Sequence, residues 1–182
     1  PVIKKPRPSA QFIPKNVVII ILESFGKEYI GSLNSYKGYT PFLDSLIGHS
    51  LVFPNAFANG KRSIDGIPAI IAGIPALIND PFITSAYSGN SITSLPSLLK
   101  TKDYTSEFFH GGTDGTMGFD NFSKLAGFDH YYGRGEYNND NDYDGSWGIY
   151  DEPFLLRTAA EIKKIKPPFL ITIFTLSSHH PY

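Results

Sequence analysis

The chain has 182 residues, enough for one domain with a real core. Its 16 Lys and Arg against 17 Asp and Glu leave a net charge of −1, which gives no electrostatic reason to bind nucleic acid or an anionic membrane surface. There is no cysteine, so a disulfide framework and a thiolate metal site are both excluded.

The first fifteen residues, PVIKKPRPSAQFIPK, are basic and proline-rich. They read as a linker (1–15) from an upstream, membrane-type region, with a domain following at 16–182. No signal-peptide pattern is present, and no apolar run approaches the ~20 residues that span a bilayer as a helix. NVVIIIL (16–22) is β-branched and strand-like. TPFLDSLIGHS (40–50) has helical apolar spacing, with Thr40 placed to cap it and Pro41 at its first position. LVFPNAF (51–57) reads as a short strand. SIDGIPAIIAGIP (63–75) reads as a helix weakened by Gly66 and Pro68. SLPSLLKTKD (94–103) is a helix and YTSEFF (104–109) a strand. DEPFLLRTAAEIKKI (151–165) is the strongest helix, with Asp151 as a cap and lysines near its end. PFLITIFTL (168–176) is a buried strand. The alternation predicts an α/β fold with a mainly parallel sheet flanked by helices.

In open parallel sheets, ligands bind at the carboxyl ends of the strands. Three strands end on polar, chemically useful residues: Glu23 after the first, His110-Gly111-Gly112 after the second, and Ser177-Ser178-His179-His180 after the last. Each has an ordinary alternative, as a solvated acid or a structural histidine. Ser63 opens the 63–75 helix behind Gly60, Lys61 and Arg62. The partial positive charge of a helix start and two cations favour an anion there, while Ser63 is equally a plain N-cap.

The ordered set NVVIIILESFG, TPFLDSL, NGKRSIDGIPAIIAGIP, FFHGG, LAGFDHYYG, SWGIYDEPFL and FTLSSHHPY resembles the lipoteichoic acid synthase and phosphoglycerol transferase branch of the sulfatase and alkaline phosphatase superfamily. The resemblance runs over about 16–182 and implies the N-terminal part of a sulfatase-like catalytic domain. It implies a membrane-anchored enzyme with its catalytic domain outside the cytoplasm, the anchor lying outside this chain. The substrate would be a phospholipid or glycan-type molecule, not nucleic acid. A divalent metal would be the cofactor, typically Mn2+, with Mg2+, Ca2+ or Zn2+ as alternatives. Carried over residue by residue, Glu23 becomes a metal ligand, and Ser63 both a ligand and the nucleophile that is covalently phosphorylated. His179 becomes a phosphate contact, and His110 a residue near the active site. Lys61 and Arg62 would steady the phosphoryl oxygens.

The sequence departs from that family in two places. Where lipoteichoic acid synthases carry a Trp and an Arg for the phosphoglycerol head, this chain has Met117 and Phe119. The C/S-x-P-x-R pattern of true sulfatases is absent, since Ile64, Asp65, Gly66 and Ile67 follow Ser63. The family completes its metal site with an Asp-His pair further downstream than Tyr182, so residues 1–182 are expected to be inactive alone. The Asp/Asn-rich EYNNDNDYDGSWG (136–148) lacks the ordered ligand pattern of a calcium loop and reads as a solvated loop, with Trp147 rimming the cleft or packing on the helix that follows. The leading expectation is metal-dependent transfer of a phosphoglycerol or phosphoethanolamine-type head group. The alternatives are a sulfatase-like hydrolase and, in a different class, a non-catalytic glycan-binding module.

Overall fold

The computed structural model describes residues 11–180. Four strands form one parallel sheet in the order β1-β4-β2-β3: β1 (Val17–Ile21), β2 (Thr105–His110), β3 (His130–Tyr132) and β4 (Phe169–Phe174). The helices between them are α1 (Pro41–Ile47), α2 (Ser63–Ala72), α3 (Leu95–Lys100), α4 (Phe119–Ala126), α5 (Arg134–Tyr137) and α6 (Asp151–Ile162). All strands run the same way, so all their carboxyl ends reach one edge.

β4 is the centre of this arrangement. Its six residues are buried throughout, as expected of a strand covered on both faces. Leu170 and Phe174 point into one core with Phe108, Phe119, Phe122 and the α2 residues Ile64, Ile67 and Ile71. Phe169, Ile171 and Ile173 point into the other, with Phe109, Ile149 and Phe154 of α6. α2 forms despite Gly66 and Pro68 because that isoleucine stripe repeats at helical spacing and is nearly fully buried. It ends at Ala72, before Gly73, three residues short of the predicted limit. β1 is an edge strand: Val17, Ile19 and Ile21 are half-buried while Val18 and Ile20 are exposed.

Several predicted details differ. No strand forms over 51–57. Leu51, Phe53 and Phe57 lie on the surface, Phe57 at 91% exposure, and Pro54 removes a ladder donor. The segment pairs with neither edge of the sheet, β1 or β3, so its apolar residues make no strand. Thr40 makes no side-chain cap on α1; its hydroxyl donates to the Tyr29 carbonyl instead, at 3.3 Å. Asp151 is the first residue of α6, behind Tyr150 as N-cap, and its carboxylate is used elsewhere. Most of the predicted linker, residues 1–10, lies outside the described residues. Of its remainder, Lys15 is held by Tyr104, whose hydroxyl donates to the Lys15 carbonyl at 2.7 Å and accepts from its N–H at 3.0 Å. α4 and β3 were not anticipated, although Phe119, Phe122 and Ala126 have helical spacing and Gly127 follows as a stop.

Candidate active site

A narrow pocket opens at the carboxyl edge of the sheet. Glu23, Ser63, His110 and His179 all line it, together with Thr116, Met117, Phe119, Trp147, Phe174 and Leu176. Residues from four separate segments, up to 156 positions apart (Glu23 to His179), thus share one cavity wall. Lys61 and Arg62 are not among its lining residues. Arg62 is turned toward Asp65, Nε to Oδ2 at 3.0 Å, and donates to the Asn79 carbonyl at 3.2 Å. That pairing directs part of the guanidinium toward Asp65 and Asn79. A larger apolar depression of about 320 Å³, lined by Pro68, Leu77, Phe82 and Tyr87 among others, contains none of the four candidate residues. Its Asp65 is already paired with Arg62.

Glu23 sits where β1 leaves the sheet. Ser24 follows with φ of 47°, a left-handed conformation that costs a non-glycine residue about 1 kcal/mol. The bend lets the Ser24 hydroxyl donate to Glu23 Oε1 at 2.8 Å. The Glu23 N–H donates to Thr175 Oγ1 at 2.9 Å, and Ser178 Oγ donates to the Glu23 carbonyl. Glu23 is therefore held by the segment that carries His179.

Ser63 is the first residue of α2, with Arg62 as N-cap, so it is not the cap itself. Its position leaves it among the unpaired N–H groups and positive dipole end of a ten-residue helix. Gly60 makes this approach possible. Its φ is 117°, and a Cβ there would meet the Asp65 Cβ at 2.5 Å, so only glycine lets the chain pass so close to α2.

His110 ends β2 and is 1% exposed. Its Nδ1 lies 3.2 Å from the Phe174 carbonyl, which can only accept, so Nδ1 carries the proton. Burial pushes its pKa down to about 4, with the Phe174 carbonyl opposing. The ring is neutral at ordinary pH, its Nε2 buried without a partner. Nε2 faces Gly112, where a Cβ would come within 2.5 Å. Phe174 stacks on the ring at 4.5 Å and Phe119 meets it edge-on at 5.4 Å. His179, by contrast, is only half-buried. Its Nδ1 donates to the His180 carbonyl at 2.6 Å, which leaves Nε2 for a ligand.

Trp147 rims the pocket. Its ring centroid is 4.3 Å from that of His179, and its Nε1 donates to the His180 carbonyl at 2.9 Å. The acid-rich stretch before it folds on itself: Asp144 Oδ1 accepts from the N–H groups of Ser146, Trp147 and Gly148, and Asp140 pairs with Arg134. Those carboxylates are used in building the turn that presents Trp147. Sequence reasoning missed the supports, namely Thr175, Ser178, Ser24 and Asp151. Short polar residues beside a strand end are common in any loop, so no local pattern distinguishes them.

A carboxylate from Glu23 and a hydroxyl from Ser63 are hard oxygen donors, suited to a divalent ion of the magnesium or manganese type. They fit as part of a ligand set. Among the described residues no group of three or more His, Asp or Glu side chains is gathered closely enough to hold an ion.

The sheet order, the strand-end pocket and the serine at a helix start define a class, and comparison with known proteins identifies it. The Sulfatase family pattern matches residues 15–182, and the chain belongs to that family. It is similar to lipoteichoic acid synthase 2 of Bacillus subtilis, 29% identical over 173 residues that make up 92% of this chain and 26% of that protein. It is also similar to phosphoglycerol transferase I of Escherichia coli, at 28% over 184 residues, 91% of this chain and 23% of that one. Among solved structures, a protein of the alkaline phosphatase superfamily from Vibrio parahaemolyticus superposes with a TM-score of 0.84 at 33% identity, over 95% of this chain and 43% of that chain. The lipoteichoic acid synthase LtaP of Listeria monocytogenes shares the fold, with a TM-score of 0.77 at 24% identity over 92% and 41% of the two chains. The chain spans about a quarter of the length of these curated relatives. Among the described residues, no helix is long and apolar enough to cross a membrane.

Proposed function

We propose that this chain is part of an enzyme that transfers a phosphoglycerol or phosphoethanolamine-type head group at the cell envelope, with Ser63 as the nucleophile. The observation that carries this reading is the convergence of Glu23, Ser63 and His179 on one pocket from three distant segments. The relatives named as a lipoteichoic acid synthase and a phosphoglycerol transferase support the substrate class. The protein is attached to the membrane by a segment outside this chain.

Glu23 and Ser63 would hold a divalent metal, Mn2+ in the first instance, with further ligands from outside residues 11–180. When bound, the metal supplies a Lewis acid that lowers the pKa of an adjacent hydroxyl. Ser63 Oγ attacks phosphorus in line, forming an O–P bond as the bond to the donor alcohol breaks, and the alcohol departs with a proton. The result is a phosphoserine diester. An acceptor hydroxyl then attacks the same phosphorus and gives up its proton, and Ser63 is released as the alcohol. The N-terminal N–H groups of α2 lie where a phosphoryl oxygen can be received. His179 offers Nε2 to another oxygen, and donates there when its ring is the imidazolium. His110, neutral and buried, serves as the floor of the pocket beneath these groups.

Ser63→Ala in the intact native protein carrying this chain tests the assignment. Turnover should fall by about 10³-fold or more. Melting should change by little, because Ser63 is not the cap of α2. Incubation with a labelled phosphoglycerol or phosphoethanolamine donor should place the label on the peptide containing Ser63, and manganese chelation should abolish labelling. Label on any other residue, or full activity in Ser63→Ala, would overturn the mechanism.

A further inference from the structure

The segment after β4 carries His179, yet Leu176 is its one buried apolar residue and Ser177 is exposed. Packing alone cannot fix such a loop. Polar bonds do so instead: Glu23 ties the loop at Thr175 and Ser178, and Asp151 ties it at Leu176 and Ser177. Asp151 Oδ1 accepts from the Leu176 N–H and Oδ2 from the Ser177 N–H, both at 2.8 Å. In return, the Asp151 N–H donates to Ser177 Oγ at 2.7 Å. Asp151 stands at the first position of α6, where an acid ordinarily serves its own helix. Here both oxygens are spent on the neighbouring loop. Four residues earlier in the chain, Trp147 reaches the far end of the same loop through its contacts with His179 and His180. The loop is therefore gripped at 176–177 and again at 179–180 from one short stretch, 147–151.

We propose that Asp151 is a positioning residue: its two-pronged hold on Leu176 and Ser177 sets where His179 stands in the pocket. Asp151 does not line the pocket and touches no reacting atom, so it acts only through His179. The inference rests on the proposed role of His179 for its kinetic consequence, but not for its structural one. Burial pushes the Asp151 pKa up while the Ser177 and Leu176 bonds oppose that, in keeping with a carboxylate withdrawn from water to hold the loop.

Trp147 is the chain's single tryptophan, which gives a readout independent of activity. Emission and acrylamide quenching of the 182-residue chain should be compared for the native sequence, Asp151→Asn and Asp151→Ala. Asparagine keeps one acceptor oxygen and alanine none, so alanine should loosen the loop more than asparagine. Quenching should rise by about twofold in Asp151→Ala, with circular dichroism unchanged, as His179 leaves the indole. Unchanged quenching in folded Asp151→Asn and Asp151→Ala would overturn the proposal, and Asp151→Asn decides if the alanine variant does not fold. In the intact native protein, Asp151→Ala should lower kcat/KM about a hundredfold, the scale of a ~1 Å misplacement. Adding Asp151→Ala to His179→Ala should then cost nothing further, since Asp151 acts through a side chain already removed. Additive losses would mean that Asp151 acts by another route and would also overturn it. A quenching response in a protein whose native form transfers no head group would sink the proposed function and leave the positioning role standing.

Discussion

The helix that carries Ser63 and the loop that carries His179 face the same pocket but are held by opposite means. α2 is anchored by Ile64, Ile67 and Ile71, driven into the core against Phe108 and Leu170. The 175–180 loop has one deeply buried apolar anchor, Leu176, and is tied by directional bonds to Glu23, Asp151 and Trp147. Apolar burial is strong and non-directional: it keeps a helix in place without choosing a side-chain angle. Hydrogen bonds are individually modest but fix direction. Ser63, the proposed nucleophile, is thus placed by the force that builds the domain. His179, the proposed phosphate contact, is placed by directional bonds that can be removed one at a time.

If so, truncating the α2 anchor should cost most. Ile67 is fully buried, and Ile67→Ala should destabilise the chain by about 3–4 kcal/mol, read as a lowered denaturation midpoint. A loss below about 1 kcal/mol would show that α2 is not held by its isoleucines.

Next comes the pH response of the pocket floor. His110 titrates near 4 in the folded chain against 6.5 when free, so protonation favours the unfolded state. Its stabilising contribution is complete above about pH 6.5 and is lost as pH falls toward 4, up to ~3 kcal/mol in all. Denaturation at pH 7 and pH 4.5 should show that loss, and His110→Gln should remove the His110 share of it. An identical pH slope in the variant would place the titration elsewhere.

On the loop side the effects should be smaller. Thr175→Val strands the Glu23 N–H and should cost about 1 kcal/mol, while changing Trp147 emission little because Asp151 still holds the loop. The smallest effect belongs to Arg62→Ala. Its partner Asp65 is buried but Arg62 itself is more than half exposed, so about 0.5 kcal/mol is expected in thermal melting. In the intact native protein, kcat should also change less than threefold, because Arg62 faces Asp65 and not the pocket. A large loss of kcat would restore Arg62 to the phosphoryl site.

The parallel sheet and the strand-end position of Glu23, His110 and His179 are local consequences of sequence: β-branched runs, helical apolar spacing and the polar residues that follow them. Ser63 was legible as a helix start for the same reason. Local pattern could not say whether LVFPNAF would find a strand to pair with, because pairing depends on a distant edge, and the segment pairs with neither β1 nor β3. It could not assign Arg62 either, since a cation beside a helix start can reach an anion or its own Asp65 three residues on, and the packed turn pairs it with Asp65. Nor could it reveal that Asp151 reaches across to Leu176 and Ser177, some 25 residues away, in preference to capping its own helix. Sequence determined which chemistry arrives at the edge of the sheet, because strand length and polarity are encoded locally. Tertiary structure decided which groups remain free to perform it, because each hydrogen-bonding group chooses among partners that only folding brings within reach.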